Sequence, residues 1–239
     1  MLDRTSSKTL HLQMEELIRE KLELGIWEPD SLIPSENVLS KEYGISRMTL
    51  RNVITKLVQE GLLFRIPGKG TFVAKPKIEA KALSYEGIRE QLERLGYEVT
   101  TSLLSVQKSL GTKRICGKLQ LDTNSPIYVV RRVRIIRGEP LSLHTSYIPA
   151  SLAPELDTLN LVDEQLCSIL SEKYDLQREH IYEELESAAA TEEEAEILKI
   201  APGHPLLLLQ DTIVSEDGTP FEYAKVVFRG DKIKLKLEF

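Results

Sequence analysis

The chain has 239 residues, of which 41% are hydrophobic, and its formal net charge is −6. It contains no run of 18 apolar residues, and its first twenty residues lack the apolar stretch of a secretory signal, so we expect a cytoplasmic protein without a membrane segment. The two cysteines lie far apart and the four histidines are scattered, which argues against a disulfide framework, a zinc site or a metal cofactor.

Three helices are predicted in the first 63 residues. Apolar residues recur at helical spacing from Leu10 to Leu22 and predict the first helix. The second runs from Ser35 to Tyr43, with Ser35 as its N-cap. The third begins after Ser46, also an N-cap, and ends before Gly61, which suits a left-handed C′ position. A turn at Gly44 joins the second and third helices, which is typical of a helix-turn-helix.

The third helix has an apolar side and a polar side. Its apolar residues recur at i, i+3, i+4, i+7 and i+8 and are Leu50, Val53, Ile54, Leu57 and Val58. The opposite side carries Arg47, Arg51, Asn52, Thr55 and Lys56. A polar side of this kind is often only the solvated face of a helix, so the helix alone leaves a binding role open.

A two-stranded wing is predicted after the third helix. Residues 62–65 and 71–73 favour strands around the loop 66–70. Between Lys41 and Lys75 there are seven basic and two acidic side chains, although the whole chain is acidic. Together the turn, the wing and this local charge favour DNA binding over a solvated helix face.

Four motifs of this region resemble, in the same order, the GntR family of bacterial regulators: LIPSE at 32–36, SRMTLR at 46–51, EGL at 60–62 and GKGTFV at 68–73. By this resemblance the residues that contact operator DNA are Ser35, Asn37, Ser46, Arg47, Thr49, Arg51, Gly68 and Lys69. Asn37 stands where the family commonly has an arginine. The residue types suit the role, because arginine can bond guanine in a bidentate manner and hydroxyl groups can bind phosphates.

The predicted division is a DNA-binding domain at residues 1–74, a linker at 75–81 and a second domain at 82–239. The linker prediction rests on charged residues, a proline and the absence of periodicity. Residues 1–75 carry a net charge of +1 and residues 76–239 one of −7, so the expected DNA contact belongs to the first part.

The second domain is predicted to be α+β with an antiparallel sheet. Its predicted helices are 84–95, 112–119, 161–174 and 191–198, and its predicted strands are 99–106, 127–136, 141–148, 181–188, 206–214, 221–228 and 233–239. The hairpin with its turn at 137–140 is the strongest strand signal. Thr191 and Glu194 form a capping box.

Arg132 and Arg134 lie two apart on a predicted strand and therefore point to the same face of the sheet. If that face is exposed, as is usual for arginine, the pair is simply solvated. If it is inward, two guanidinium groups need an anionic partner such as a phosphate or a carboxylate. The pattern alone leaves both readings open.

Residues 82–239 resemble the UTRA effector domain of the HutC branch of GntR regulators. The resemblance is carried by RVR at 132–134, GEP at 138–140, TSYIP at 145–149, PFEY at 220–223 and FRGD at 228–231. Within that branch the chain is most similar to regulators of amino-sugar (N-acetylglucosamine) utilisation that sense a sugar phosphate. The effector-binding residues implied are Ser84, Arg132, Arg134, His144, Ser146 and Glu222.

Some residues depart from the pattern of the sugar-phosphate sensors. His144 stands where a glutamate is usual, and Phe228 where a tyrosine is common. Gln165 and Cys167 fall nearest to a serine and a tyrosine that bind the phosphate at the start of the middle helix. The resemblance implies a sugar phosphate as the effector, but these departures leave open a different sugar or an effector that need not carry a phosphate.

The resemblance implies a homodimeric transcriptional repressor of carbohydrate-utilisation genes that binds double-stranded operator DNA and is released by a small effector. It is not expected to be an enzyme. Two alternatives stay open: a chorismate-lyase-like enzyme domain joined to a DNA-binding module, and a DNA-binding protein that needs no effector.

Overall fold

The computed structural model describes residues 2–81 and 88–236. The chain divides into two compact units, with the boundary between Lys77 and Ile78. Each unit has its own buried apolar core. Among the described residues, no helix is both long and apolar enough to cross a membrane.

The first unit consists of three helices and a two-stranded hairpin. The elements are α1 (Leu10–Glu23), α2 (Glu36–Tyr43), α3 (Arg47–Gln59), β1 (Leu63–Ile66) and β2 (Gly70–Val73). Ser35 and Ser46 are N-caps, as predicted, and accept hydrogen bonds from the backbone N–H groups of Val38 and Thr49. Gly44 is left-handed between α2 and α3, and β1 pairs antiparallel with β2, which confirms the winged helix-turn-helix.

The core of this unit explains the predicted apolar stripe. Four residues of α3 are buried, Leu50, Val53, Ile54 and Leu57, and they pack with Met14 and Ile18 of α1 and with Leu39 of α2. The burial of one side of α3 turns its polar side, with Arg47, Arg51 and Asn52, to the surface.

The second unit is built on a six-stranded sheet. Its elements are β3 (Ile78–Lys81), α4 (Ile88–Arg94), β4 (Val99–Leu110), α5 (Lys113–Lys118), β5 (Pro126–Ile136), β6 (Glu139–Pro149), α6 (Leu166–Tyr174), β7 (His180–Ala189), α7 (Glu192–Leu198), β8 (Pro205–Val214), β9 (Pro220–Arg229) and β10 (Ile233–Lys236). The strand order is β4-β5-β6-β9-β8-β7, and every neighbouring pair is antiparallel, which confirms the predicted α+β class.

The predicted linker is partly wrong, because residues 78–81 form β3 and pair in parallel with β10. Ile78 and Ala80 are buried, and the backbone N–H of Ile78 donates to the carbonyl of Lys232 at 2.8 Å. The alternation of these two apolar residues with two charged ones spans only four positions, which is too short to have been recognised as a strand. Of the predicted linker, only residues 75–77 lie outside the second unit.

Other boundaries also differ from the predictions. The hairpin between β5 and β6 turns on Arg137 and Gly138 alone, both with positive φ, so Glu139 lies in the strand opposite Ile136 rather than in the turn. Strand β4 extends to Leu110, and α6 begins at Leu166 instead of 161.

Helices cover both faces of the central sheet. On one face α6 buries Leu166, Ile169 and Leu170 against a cluster that includes Tyr128 and Phe221. On the other face α7 packs Ala195 and Leu198 against strand residues that include Val133 and Leu143. The capping box predicted at Thr191 and Glu194 is present at the start of α7. The face under α6 carries the cavity described below.

Candidate functional site

The polar side of α3 is the first candidate surface. Arg47 and Arg51 are exposed, as is Ser46 at the start of the helix. The Ser46 hydroxyl lies 2.8 Å from the Thr49 hydroxyl and accepts from the backbone N–H of Thr49 at 3.0 Å. These two predicted DNA contacts therefore already form one local cluster at the N-terminus of α3.

Glu36 of α2 holds two arginines beside this helix. The Arg51 Nε donates to Glu36 Oε2 at 3.0 Å, and Arg65 of β1 donates to Glu36 Oε1 at 3.2 Å. Arg65 also donates to the Thr55 hydroxyl at 3.2 Å. Glu36 thus orients Arg51 of α3 and Arg65 at the base of the wing. The sequence did not indicate these two contacts.

The remaining predicted DNA contacts lie at the start of α2 and at the wing. Ser35 and Asn37 are exposed at the first turn of α2. Gly68, with a φ of 74°, and Lys69 are exposed in the turn that joins β1 to β2. Lys69 donates its backbone N–H to Ile66 at 3.0 Å, which closes this turn.

The net positive charge near α3 is smaller than the number of basic residues between Lys41 and Lys75 suggests. Lys56 bonds Glu15 of α1 at 2.9 Å, and Lys75 bonds Asp30 at 3.0 Å. Glu15 is buried, and the hydrogen bond from Lys56 lowers the pKa of this carboxyl. Lys56 therefore anchors α3 to α1. Lys41, Arg47 and Lys69 are exposed and make no ion pair within the described part of the chain.

The second candidate site is a cavity on the sheet face under α6. Strands β5, β6, β9 and β8 form its floor, and its polar and charged lining residues are Arg89, Arg132, Arg134, His144, Ser146, Gln165, Cys167, Arg178, Asp211 and Glu222. Five of the six predicted effector-binding residues are therefore brought together. The sixth, Ser84, lies outside the described residues.

Arg132 and Arg134 are each only 5% exposed, so the reading in which they are solvated is wrong. Arg134 donates to the Thr101 hydroxyl. Arg132 Nε and Nη1 and Arg134 Nε have no hydrogen-bond partner among the residues that the structure describes. Burial lowers the pKa of Arg132, and it lowers the pKa of Arg134 to about 9. Two buried arginines thus line the cavity, and each has a donor without a partner in the described part of the chain.

His144 lies on β6, the strand next to this pair, and Glu222 lies on β9, one strand further along the sheet. His144 Nε2 is 2.9 Å from the Ser142 hydroxyl. Burial, aided by the charges of Arg134 and Arg132, holds the pKa of His144 well below its usual value, so the ring is neutral at pH 7. Burial raises the pKa of Glu222, while a hydrogen bond with Ser146 and the charge of Arg132 oppose that rise.

Three charged lining residues were not singled out from the sequence: Arg89 of α4, Arg178 before β7, and Asp211 of β8. Asp211 Oδ1 is buried and has no hydrogen-bond partner among the described residues. Burial raises the pKa of Asp211 to about 8. A carboxyl within the largely apolar segment LLLLQDTIV is the signal that could have identified it. In the described ranges, no group of three or more His, Cys, Asp or Glu is placed to hold a metal ion.

Comparison with known proteins covers both units. Residues 10–73 match the family described as "Bacterial regulatory proteins, gntR family", and residues 94–234 match the "UTRA domain". The chain is 35% identical over 232 residues to the "HTH-type transcriptional repressor NagR" of Bacillus subtilis (strain 168), covering 97% of this chain and 95% of that protein. It is 28% identical over 236 residues to the "Probable fructoselysine utilization operon transcriptional repressor" of Escherichia coli (strain K12), covering 99% and 97%.

Solved structures share the fold. The crystal structure of PhnF from Mycobacterium smegmatis matches with a TM-score of 0.67 at 19% identity, over 97% of this chain and 99% of that chain. The relatives are named as transcription regulators, which rejects the enzyme alternative. The chain therefore belongs to the GntR family of bacterial regulatory proteins, in the HutC branch that joins a winged helix-turn-helix to a UTRA domain, and it is a DNA-binding transcription regulator.

Proposed function

We propose that this regulator is a homodimeric repressor of carbohydrate-utilisation genes, and that a phosphorylated sugar in the cavity under α6 releases it from its operator. The observation that carries the proposal is the pair Arg132 and Arg134, which line the cavity and have buried donors without a hydrogen-bond partner among the described residues. A buried guanidinium without a partner is costly in the free protein, and a bound anion offsets that cost.

The surroundings of the pair also favour an anion. Arg89 and Arg178 add two guanidinium groups to the cavity lining. Helix α6 begins at the cavity, and its N-cap residue, Gln165, makes no side-chain capping bond. The N–H groups of an uncapped first turn and the helix dipole both attract negative charge. A phosphate near Arg132 would meet donors from the sheet and from α6 together.

The rest of the cavity suits a polar ligand body. Glu222 and Ser146 are buried at its floor, and a carboxylate can accept hydrogen bonds from sugar hydroxyls. His144, being neutral, offers one donor and one acceptor. The name of one relative, the fructoselysine utilization operon repressor, points to a sugar-derived compound, which supports a carbohydrate effector.

The effector releases the protein from DNA by shifting the equilibrium between two arrangements of the dimer. In a two-fold dimer the two α3 helices must match half-sites about 34–36 Å apart. In a second arrangement of the dimer, the spacing of the two α3 helices does not match the half-sites. An effector that binds this arrangement more tightly lowers operator affinity by the ratio of its affinities for the two arrangements. The same coupling requires operator DNA to weaken effector binding.

A thermal-shift screen of the full chain tests the anion site. Each sugar is compared with its 6-phosphate, on the wild type, on Arg132→Ala and on Arg131→Ala. Arg131 is the matched control, because it is the adjacent arginine, points to the other face of the sheet and pairs with Glu193 at 2.7 Å. At 100 times its dissociation constant, a ligand should add about 2.7 kcal/mol of stability.

We expect phosphorylated sugars to raise the melting temperature of the wild type and of Arg131→Ala, but not of Arg132→Ala. The same compounds should weaken binding to operator DNA in a gel-shift assay. Stabilisation by free sugars alone would contradict the phosphate assignment. Operator binding that no sugar or sugar phosphate alters would support the effector-independent alternative.

A further inference from the structure

The segment 2–8, which precedes α1, is held against the first unit by Gln13 of that helix. The Gln13 side chain accepts a hydrogen bond from the backbone N–H of Asp3 at 2.7 Å. Its amide nitrogen donates to the carbonyl of Asp3 at 2.7 Å and to that of Lys8 at 2.9 Å. Leu2 packs against the apolar core of the unit. One half-buried side chain therefore holds both ends of the segment and gives it a defined path.

This path brings the side chain of Arg4 to the turn of the helix-turn-helix. Arg4 Nη2 donates to the carbonyl of Gly44 at 2.9 Å, and a Cβ on Gly44 would lie 3.2 Å from the same nitrogen. Gly44 is the C-cap of α2, and Ser46, two residues later, is the N-cap of α3. Two residues of chain span at most about 7 Å. The guanidinium group is therefore close to the N-terminus of α3.

Arg4 has donors available for a further partner. Its side chain is exposed, and it makes no ion pair with the residues that the structure describes. The neighbouring carboxylate of Asp3 accepts from the backbone N–H of Thr5 at 2.8 Å and from the Thr5 hydroxyl at 2.6 Å. Since a guanidinium group carries five N–H donors, the bond to Gly44 leaves others free to meet an anion.

Two more cations flank the same turn. Lys41 lies in the last turn of α2 and Arg47 in the first turn of α3, and both are exposed. Between them in the sequence there is one acidic residue, Glu42. If Arg4 served only to tie its segment to the turn, an uncharged donor would suffice. A third positive charge at this turn is instead what a surface that contacts phosphates requires.

We propose that Arg4 is a further DNA contact, a phosphate ligand that the segment 2–8 brings to the N-terminus of α3, and that Gln13 is the positioning residue that holds it there. Phosphate contacts carry no sequence information directly, so Arg4 adds affinity for DNA without adding specificity. The inference goes beyond the proposed function, because it concerns the first unit alone and does not depend on an effector.

Fluorescence anisotropy of the full chain on a labelled duplex of mixed sequence, over a series of salt concentrations, tests this contact. A mixed-sequence duplex suffices, because non-specific binding arises from phosphate contacts. Arg4→Gln removes the charge but keeps a donor for Gly44, whereas Arg4→Lys keeps the charge. Lys8→Ala is the matched control, because Lys8 is a cation of the same segment that already pairs with Glu16 at 2.7 Å.

We expect Arg4→Gln to lower the slope of log affinity against log salt by about 1, as the loss of one phosphate contact requires. Arg4→Lys should keep the wild-type slope, and Lys8→Ala should stay close to it. Gln13→Ala should lower the slope as Arg4→Gln does, although the net charge is unchanged, because the segment no longer holds Arg4 at the turn. A purely structural role of Arg4 would not change the slope in this pattern.

A wild-type slope in Arg4→Gln would overturn the phosphate contact and leave Arg4 as a tie between its segment and Gly44. An equal loss of slope in Lys8→Ala would also overturn it, because the general charge of the segment would then account for the effect. A wild-type slope in Gln13→Ala would overturn the positioning role of Gln13. Each of these results leaves the proposed effector site untouched, because no effector enters the experiment.

Discussion

Arg132 and Asp211 lie on the same face of the six-stranded sheet, on strands that β6 and β9 separate, and each has a buried polar atom without a partner among the described residues. In most proteins such groups pair with each other or are absent from the interior. Here they flank a cavity, and the folded chain bears the cost of both. The free energy of unfolding of variants at these two positions therefore tests the site as directly as ligand binding does.

The first prediction concerns Arg132. Burial disfavours its charged form and lowers its pKa, so replacement by an apolar side chain of similar length should stabilise the ligand-free protein. We expect Arg132→Met to raise the free energy of unfolding by about 1–3 kcal/mol in urea denaturation. Arg131→Met should change it by less than about 1 kcal/mol, because Arg131 makes a surface pair with Glu193. A destabilised Arg132→Met would mean that the guanidinium is satisfied in the folded chain.

The second prediction concerns the pH dependence at Asp211. Its pKa is raised from 3.8 to about 8, so the folded protein keeps a proton that the unfolded chain releases. Stability from this group therefore falls as the pH rises from about 4 to about 8. At pH 8 we expect Asp211→Asn to have a higher melting temperature than the wild type, equivalent to about 1–3 kcal/mol in free energy of unfolding. At pH 4 the two melting temperatures should be close.

Thermal melts of both proteins across that range provide the measurement. His144, which lines the same cavity, also contributes a pH dependence, but it is present in both proteins and drops out of the difference. A wild type and variant whose melting temperatures differ by the same amount at every pH would show that Asp211 does not titrate in this window.

The third prediction concerns operator DNA. Arg47 is exposed without an ion pair in the described part of the chain, and Arg51 is held by Glu36. We expect Arg47→Ala or Arg51→Ala to weaken operator binding by about 1–3 kcal/mol, measured by fluorescence anisotropy at fixed salt. Lys69→Ala should also lower the slope of log affinity against log salt by about 1. Lys173→Ala, an exposed lysine of the second unit, serves as the control. Unchanged affinity in both arginine variants would reject α3 as the recognition helix.

The fourth prediction concerns the N-cap of α3. The Ser46 hydroxyl accepts from the backbone N–H of Thr49. Ser46→Ala should destabilise the first unit by about 1 kcal/mol, whereas Ser46→Gly should cost only a few tenths, since glycine is tolerated at this position. Urea denaturation followed by helix circular dichroism measures both. Equal effects of alanine and glycine would show that the hydroxyl contributes no capping bond.

Local signals account for what could be predicted. The stripe of Leu50, Val53, Ile54 and Leu57, the caps Ser35 and Ser46, and the capping box at Thr191 each arise from residues within a few positions of one another. The structure confirms all of them. Family motifs added the effector residues, of which Arg132, Arg134, His144, Ser146 and Glu222 line one cavity.

What only the tertiary structure decided involves partners that are distant in the chain. Lys56 pairs with Glu15 across 41 positions, which turns a supposed DNA-facing charge into a contact between α1 and α3. Ile78 joins β10, and Asp211 reaches the cavity of Arg132, because the order of strands in the sheet differs from their order in the sequence. Periodicity and capping are local and can be read along the chain. Burial, charge pairing and the surroundings of a carboxyl depend on which strands become neighbours, and that is decided by packing.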